Sequence, residues 1–404
     1  MTASRLFDLL CIGAGPEQLP GIEVALGMGF SVLALDGDPA APGLKAATLG
    51  MAVDLKDTEA VVAVAREAGV RAIVPVPLGS ILTTTGVVND ALGLRGLSEK
   101  AARLCTDKLA MRKALAAAGL QQPACRLAST VQEVKEAAGQ IGFPVIVKPR
   151  YGSGSRGVRL LTGEAELAGE IASDTGWLAA DAQELLVEAA FSGVEHGIDG
   201  AVAGREFSLI SLRAKDLTPP PHRVAIGYTG PLELALPLQR ELVETFQRAC
   251  EALDIGHSLL HADVMIGADG SIGIIELSAR PSGYGLSQVL LPATTGIQPT
   301  EQAIRMLTGM EFSFQPTRHR IGILRTLLGW TADISPAEII KARGLAGVVE
   351  LSAPSSLPPK AITSGSDAYR MGHAIIVGDT LDDVEATWQE VQNMLGLTKG
   401  DHGN

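Results

Sequence analysis

The stretch from His261 to Gly283, HADVMIGADGSIGIIELSARPSG, limits the possible folds more than any other part of the chain. Two β-prone apolar runs flank Ala268, Asp269 and Gly270. Asp and Gly accept the left-handed conformations of a tight turn, so the stretch reads as a hairpin. Asp263 stands near the start of the first strand and Glu276 near the end of the second, with Ser278 and Arg280 just beyond. Antiparallel pairing can bring the two carboxylates side by side, an arrangement that suits a hard divalent cation such as Mg²⁺. An ordinary hairpin with solvated end charges would show the same pattern, so the remaining sequence has to decide.

The N-terminal part reads as a strand-helix-strand unit. FDLLCI (7–12) is a buried-strand pattern that runs into Gly13 and Gly15, a helical segment covers about 22–28, and SVLALD and RAIVPV supply further strands. This spacing predicts a parallel sheet. Gln18 stands where a dinucleotide-binding turn would carry its third glycine, so the glycines are read as serving the strand-to-helix turn. Ser98 and then Thr106 or Asp107 are helix N-caps, and Lys108 opens the second helix, where it opposes the helix dipole.

FPVIVKPRYGSGSRGVRLL is more telling. Lys148 is the one charge in an apolar strand, and a point charge there suits a phosphate. The loop YGSGSRG can lay backbone amides and the hydroxyls of Ser153 and Ser155 over phosphate oxygens. LLVE delivers Glu188 to a strand end, and Glu195 follows the turn at Ser192 and Gly193. AVAG and REFSLISLRA read as further strands, ELVETFQRACEAL (241–253) as a helix, and GILRTLLG and AIIVG as strands of the C-terminal part. A final helix is capped by Asp379 or Thr380, and SAPSSLPP is a loop.

In this order the elements resemble the ATP-grasp superfamily. The resemblance implies an α/β and α+β architecture in three parts. Residues 1–97 would form a Rossmann-like pre-ATP-grasp domain with a parallel sheet, 98–305 an ATP-grasp domain whose two subdomains clamp ATP, and 306–404 a C-terminal α+β domain. It implies that Lys108 and Lys148 hold the ATP phosphates and that Ser153 and Ser155 belong to the lid over them. Glu188 with the backbone of Ala189 and Phe191 would line the adenine linker, and Glu195 would meet the ribose. Asp263, Glu276 and Ser278 would hold Mg²⁺ or Mn²⁺, where the family more often has Glu and Asn at the first and last of these. Arg280, with Lys148, would face the reacting groups, and His261 and Gly283 would lie toward the substrate.

The implied reaction joins a small carboxylate, such as an amino acid, to an amine through an acyl phosphate and releases ADP. A purine-type or carboxylation-type ligase using formate or bicarbonate, and a non-catalytic nucleotide-binding protein, are the alternatives. The net charge of −12 and the lack of clustered Lys and Arg argue against nucleic acid as a partner. No apolar run suggests a membrane span, and the four cysteines have no metal-ligand spacing. These features predict a cytoplasmic enzyme, and a homodimer is the commonest arrangement for one.

Overall fold

The computed structural model describes residues 6–173, 184–328, 335–353 and 362–397. They form a mixed α/β fold built on three sheets. The first is parallel, in the order β3-β2-β1-β4, from β1 (Leu9–Ile12), β2 (Val32–Asp36), β3 (Leu49–Ala52) and β4 (Ala72–Ile73). β1 and most of β2 are buried, as expected for strands covered on both faces.

The second sheet is antiparallel, in the order β5-β8-β6-β7, from β5 (Cys125–Ala128), β6 (Val145–Pro149), β7 (Arg159–Leu161) and β8 (Leu185–Ala189). The third has eight strands: β9 (Val194–Ala203), β10 (Glu206–Leu217), β11 (Ala225–Gly230), β12 (His257–Ile266), β13 (Ile272–Ser278), β14 (Ile321–Thr326), β15 (Val348–Ser352) and β16 (His373–Gly378). Their order is β13-β12-β9-β10-β11-β14-β16-β15. AVAG is therefore not a strand of its own: it closes the ten-residue β9, and Glu195 lies inside that strand. The proposed division at 305/306 separates segments that share one sheet, because β11 pairs with β14.

The helix Leu236–Ala252 packs Leu242, Phe246, Ala249 and Cys250 onto one face of the large sheet, where Ile198, Leu212, Leu260, Val264 and Leu277 are also buried. Asp107 caps the helix Lys108–Ala117 by accepting from the amides of Leu109 and Ala110. Thr380 caps the helix Leu381–Leu395 in a reciprocal box with Asp383. Most of SAPSSLPP lies outside the described residues, among which no helix is long and apolar enough to cross a membrane.

Candidate active site

Alternation along the strands gives the large sheet one apolar face and one polar one. Ile198, Leu212, Leu260, Ala262 and Val264 face the core. Residues of the other parity, Glu195 and Asp199 on β9, Arg213 and Lys215 on β10, and His261 and Asp263 on β12, share the opposite face. In register, Asp263 pairs with Glu276 across β12 and β13, and His261 pairs with Ser278. The side-by-side carboxylates expected from the sequence are thus present.

Glu276 reaches this face through an irregularity. The register slips between Asp263↔Glu276 and Val264↔Ile274, so β13 carries one extra residue there. With strict alternation Glu276 would share the parity of Ile272 and Ile274, which are buried in the core. The bulge re-aims it toward the polar side, a common use of bulges.

Arg112 holds that bulge. Its guanidinium donates to the carbonyls of Ile274 and Ile275, at 2.7 Å each, and to both oxygens of Glu188, at 2.9 and 3.1 Å. Glu188 also takes the Lys148 Nζ at 2.8 Å. All three side chains are buried. Burial alone would raise the Glu188 carboxyl, but Lys148 and Arg112 outweigh it and hold it down at about 2. Burial is the main influence pushing Lys148 below the usual lysine range, with Glu188 opposing. Lys108 completes the group: its Nζ donates to the Gly152 carbonyl at 2.7 Å and lies 4.0 Å from Glu276.

The glycine-rich loop after β6 lies over this group. Gly152, Gly154 and Gly157 have positive φ, as does Ser155, so the loop bends where few other residues would follow. It is tied at its tip: the Gly365 amide donates to Gly154 O at 2.7 Å, and Arg156 reaches the Ser366 hydroxyl at 3.3 Å. Beneath it opens a cavity of about 290 Å³, lined by Leu78, Thr106, Ser153, Glu276, Ser278 and Arg280 among others. That is the size range of small-ligand pockets. A smaller apolar cavity of about 40 Å³ lies behind Arg280, against Val74 and Met306.

The linker after β8 meets the hairpin. A side chain at Gly273 would run into the Phe191 ring, its Cβ falling 2.6 Å from that ring, so glycine there lets Phe191 lie on β13. The Ala189 amide is engaged with Ala124 O at 2.9 Å. In the first glycine turn the Ala14 amide donates to Asp36 at 2.6 Å and the Gly15 amide to Gln18 at 3.1 Å. The groups that would meet a dinucleotide are therefore internally bonded.

Lys215 and Arg112 were not singled out from the sequence. Lys215 is buried between Glu195, at 2.5 Å, and Asp263, at 2.9 Å, and Arg223 adds a 3.3 Å contact to Glu195. Burial opposes its charge, yet Asp263 and Glu195 win and hold its ammonium above the usual range. Arg213 and Lys215 are two apart in β10, a period-2 signal that could have marked them. His261 is held well below its usual range by burial and by Arg280, Arg213 and Lys215, so it is a neutral imidazole. Its Nδ1 lies 4.0 Å from Asp199, which pairs with Arg213.

Asp263 and Glu276 offer hard oxygen donors from facing strands, with the buried Ser278 hydroxyl next along β13. Among the described residues no cluster of three or more His, Cys, Asp or Glu side chains gathers to cage a metal. A cation here would complete its shell with substrate oxygens and water, which fits Mg²⁺, a metal usually held by one or two carboxylates and phosphates.

The ATP-grasp domain family matches residues 105–284. An uncharacterized protein of Sinorhizobium fredii, y4rH, is 27% identical over 77% of this chain and 64% of its own length. Alanine–anticapsin ligase of Bacillus subtilis is 26% identical over 49% of this chain and 46% of its own. The chain thus spans about half to two thirds of the length of these curated relatives. The crystal structure of an L-amino acid ligase from Bacillus licheniformis superposes with a TM-score of 0.77 at 20% identity, covering 97% of this chain and 98% of that one.

Proposed function

Residues 105–284 are an ATP-grasp domain, and from that premise we propose that the protein is an ATP-dependent ligase joining a small carboxylic acid, an amino acid or a related metabolite, to an amine. The observation that carries this reading is the paired Asp263 and Glu276 on one sheet face, with Lys215 beside the first, Lys108 beside the second and a cavity above. The likeness to alanine–anticapsin ligase supports the substrate class.

In this reading the triphosphate lies under the glycine loop, held by Lys108, Lys148, Ser153 and Ser155. The base meets the linker backbone at Phe191, and Glu195 meets the ribose. Glu188 acts through Lys148, whose Nζ it positions. Asp263 and Glu276, with Ser278, would hold Mg²⁺, which supplies charge neutralisation on phosphate oxygens when bound. An oxygen of the acid attacks the γ-phosphorus, the bond to the bridging oxygen breaks, and ADP leaves. Arg280 and Lys148 stabilise the charge that spreads over the transferring group, and the protein contributes chiefly position and electrostatics. The amine then attacks the acyl carbon and phosphate departs.

The test is ADP release measured with Mg²⁺ over a matrix of amino acids, formate and bicarbonate, each with and without amines. The reading expects release that requires both an amino acid-like acid and an amine. Release with formate or bicarbonate alone among the acids would move the protein to the other ligase class, and no release with any pair would end the ligase reading. Within it, Lys148→Ala is expected to raise the KM for ATP about tenfold or more, the loss of one charge-assisted contact. An unchanged KM would leave this lysine only its pairing with Glu188.

A further inference from the structure

The face of the large sheet that carries Lys215 continues past an apolar stretch at Leu324 and Ile375. Lys215 pairs with Tyr228, Tyr228 with Leu324, and Leu324 with Ile375. Thr326 and His373, which pair with each other two residues further along, therefore share that face. Over them lies Tyr284, its ring centroid 4.8 Å from that of His373 and 5.7 Å from that of Tyr369. The Tyr284 hydroxyl is fixed by Thr326 at 2.9 Å and by the Ala368 carbonyl at 3.2 Å.

Two carboxylates flank these rings. Glu350 meets His373 Nε2 at 2.8 Å. Glu17 comes from the first glycine turn, 267 residues away in sequence, and accepts the Tyr284 amide at 2.9 Å. Gly283 permits the approach, since a Cβ there would collide with the Glu17 carboxylate. Among the described residues no lysine or arginine forms an ion pair with Glu17 or Glu350. Tyr369 keeps 43% of its surface exposed, so its ring is the open side of the wall, with His373 buried behind it. The turn that begins at Arg280 ends on Tyr284, and Glu17 is within electrostatic reach of Arg280.

We propose that this wall of Tyr284, Tyr369 and His373, with Glu17 and Glu350 at its sides, binds the amine substrate as a primary ammonium ion, and that Glu17 is its charge partner. This rests on the ligase reading and adds to it the substrate class of the second step. Aromatic faces attract a cation, and a carboxylate outside any direct ion pair with lysine or arginine among the described residues supplies the charge-assisted hydrogen bond. The amine stands next to the turn that carries Arg280, where the activated acid is held. The bound ammonium first gives up a proton, and the freed nitrogen pair then forms the C–N bond as the acyl C–O bond to phosphate breaks. One of the two protons lost ends on the departing phosphate and the other in solvent.

The test uses the full-length enzyme and two nucleophiles for the same acyl phosphate. Hydroxylamine is largely uncharged at neutral pH, whereas propylamine, alaninamide and alanine carry an ammonium. Glu17→Gln keeps an oxygen for the Tyr284 amide and removes only the charge. It is expected to raise the KM of the best amine, relative to that of hydroxylamine, roughly tenfold or more. Tyr369→Leu should raise the same ratio about threefold. Ratios unchanged in both variants would overturn the proposal and leave the ligase reading standing. A wild-type enzyme that forms hydroxamate with some acid but uses none of the charged amines would overturn it too. Failure to release ADP or to form either hydroxamate or amide with any acid would overturn the ligase reading itself, and this inference with it.

Discussion

Replacing Arg112 with methionine is expected to destabilise the protein by about 3 kcal/mol, the scale for breaking a buried ion pair from one side, and to reduce turnover more than about tenfold. The contacts of this guanidinium to Glu188 and β13 explain why the effect is large. Two go to the Glu188 carboxylate and two to the carbonyls of Ile274 and Ile275, and both Arg112 and Glu188 are buried. Methionine fills similar space but leaves Glu188 with Lys148 alone and two carbonyls of β13 without these donors. The turnover loss follows from geometry, because those carbonyls belong to the bulge that aims Glu276. Arg112→Lys separates the two effects: a lysine keeps the charge beside Glu188 but lacks the planar fork that spans both partners. It should recover part of the stability and little of the turnover. Unfolding in urea, followed by circular dichroism, measures the first and ADP release the second. A methionine variant within about 0.5 kcal/mol of wild type, the usual range for surface changes, would show that the bulge holds without this clamp.

Glu276→Gln should do the reverse, leaving the fold intact and cutting turnover about a hundredfold, the scale of losing one aligned electrostatic group in an active site. The side chain is partly exposed, at 32%, and its one ion pair among the described residues is the 4.0 Å approach of Lys108, so little stability depends on it. Glutamine keeps the size but has one neutral oxygen to offer a cation. Calorimetric titration of a non-hydrolysable ATP analogue with and without Mg²⁺ gives a second readout. Wild type should bind the analogue more tightly with the metal, and the variant should lose most of that difference. Equal metal dependence in both proteins would put Glu276 outside the metal's shell.

Much of this site was legible because it depends on local pattern. Alternation and the turn at Asp269 and Gly270 are enough to predict a hairpin with Asp263 facing Glu276, and the lone charge of Lys148 in an apolar strand marks itself. The bulge was not legible, since the run IGIIELS looks regular and the extra residue shows only against β12. Arg112 and Lys215 were missed for a related reason. The helix carrying Arg112 gives no sign that its partners lie at Glu188, Ile274 and Ile275, and the ion pairs of Lys215 join strands that are neighbours only in the folded sheet. Glu195 was expected after a turn because Ser192 and Gly193 punctuate the sequence, yet pairing with β12, where Glu195 stands opposite Met265, carries β9 on through it. The place of β14 beside β11 is likewise a long-range choice: a strand's pattern says that it pairs, not with which partner.

On the ligase reading, this site transfers the γ-phosphoryl group of ATP to a carboxylate. The most direct measurement is phosphorus NMR of the enzyme with ATP, Mg²⁺, a panel of amino acids and hydroxylamine, with the hydroxamate quantified in parallel. ADP, phosphate and hydroxamate should accumulate in equal amounts, and only when the acid is present. AMP with pyrophosphate would mean an acyl-adenylate instead, and ADP with neither hydroxamate nor peptide would mean that no acid is activated; either result rules out phosphoryl transfer to a carboxylate.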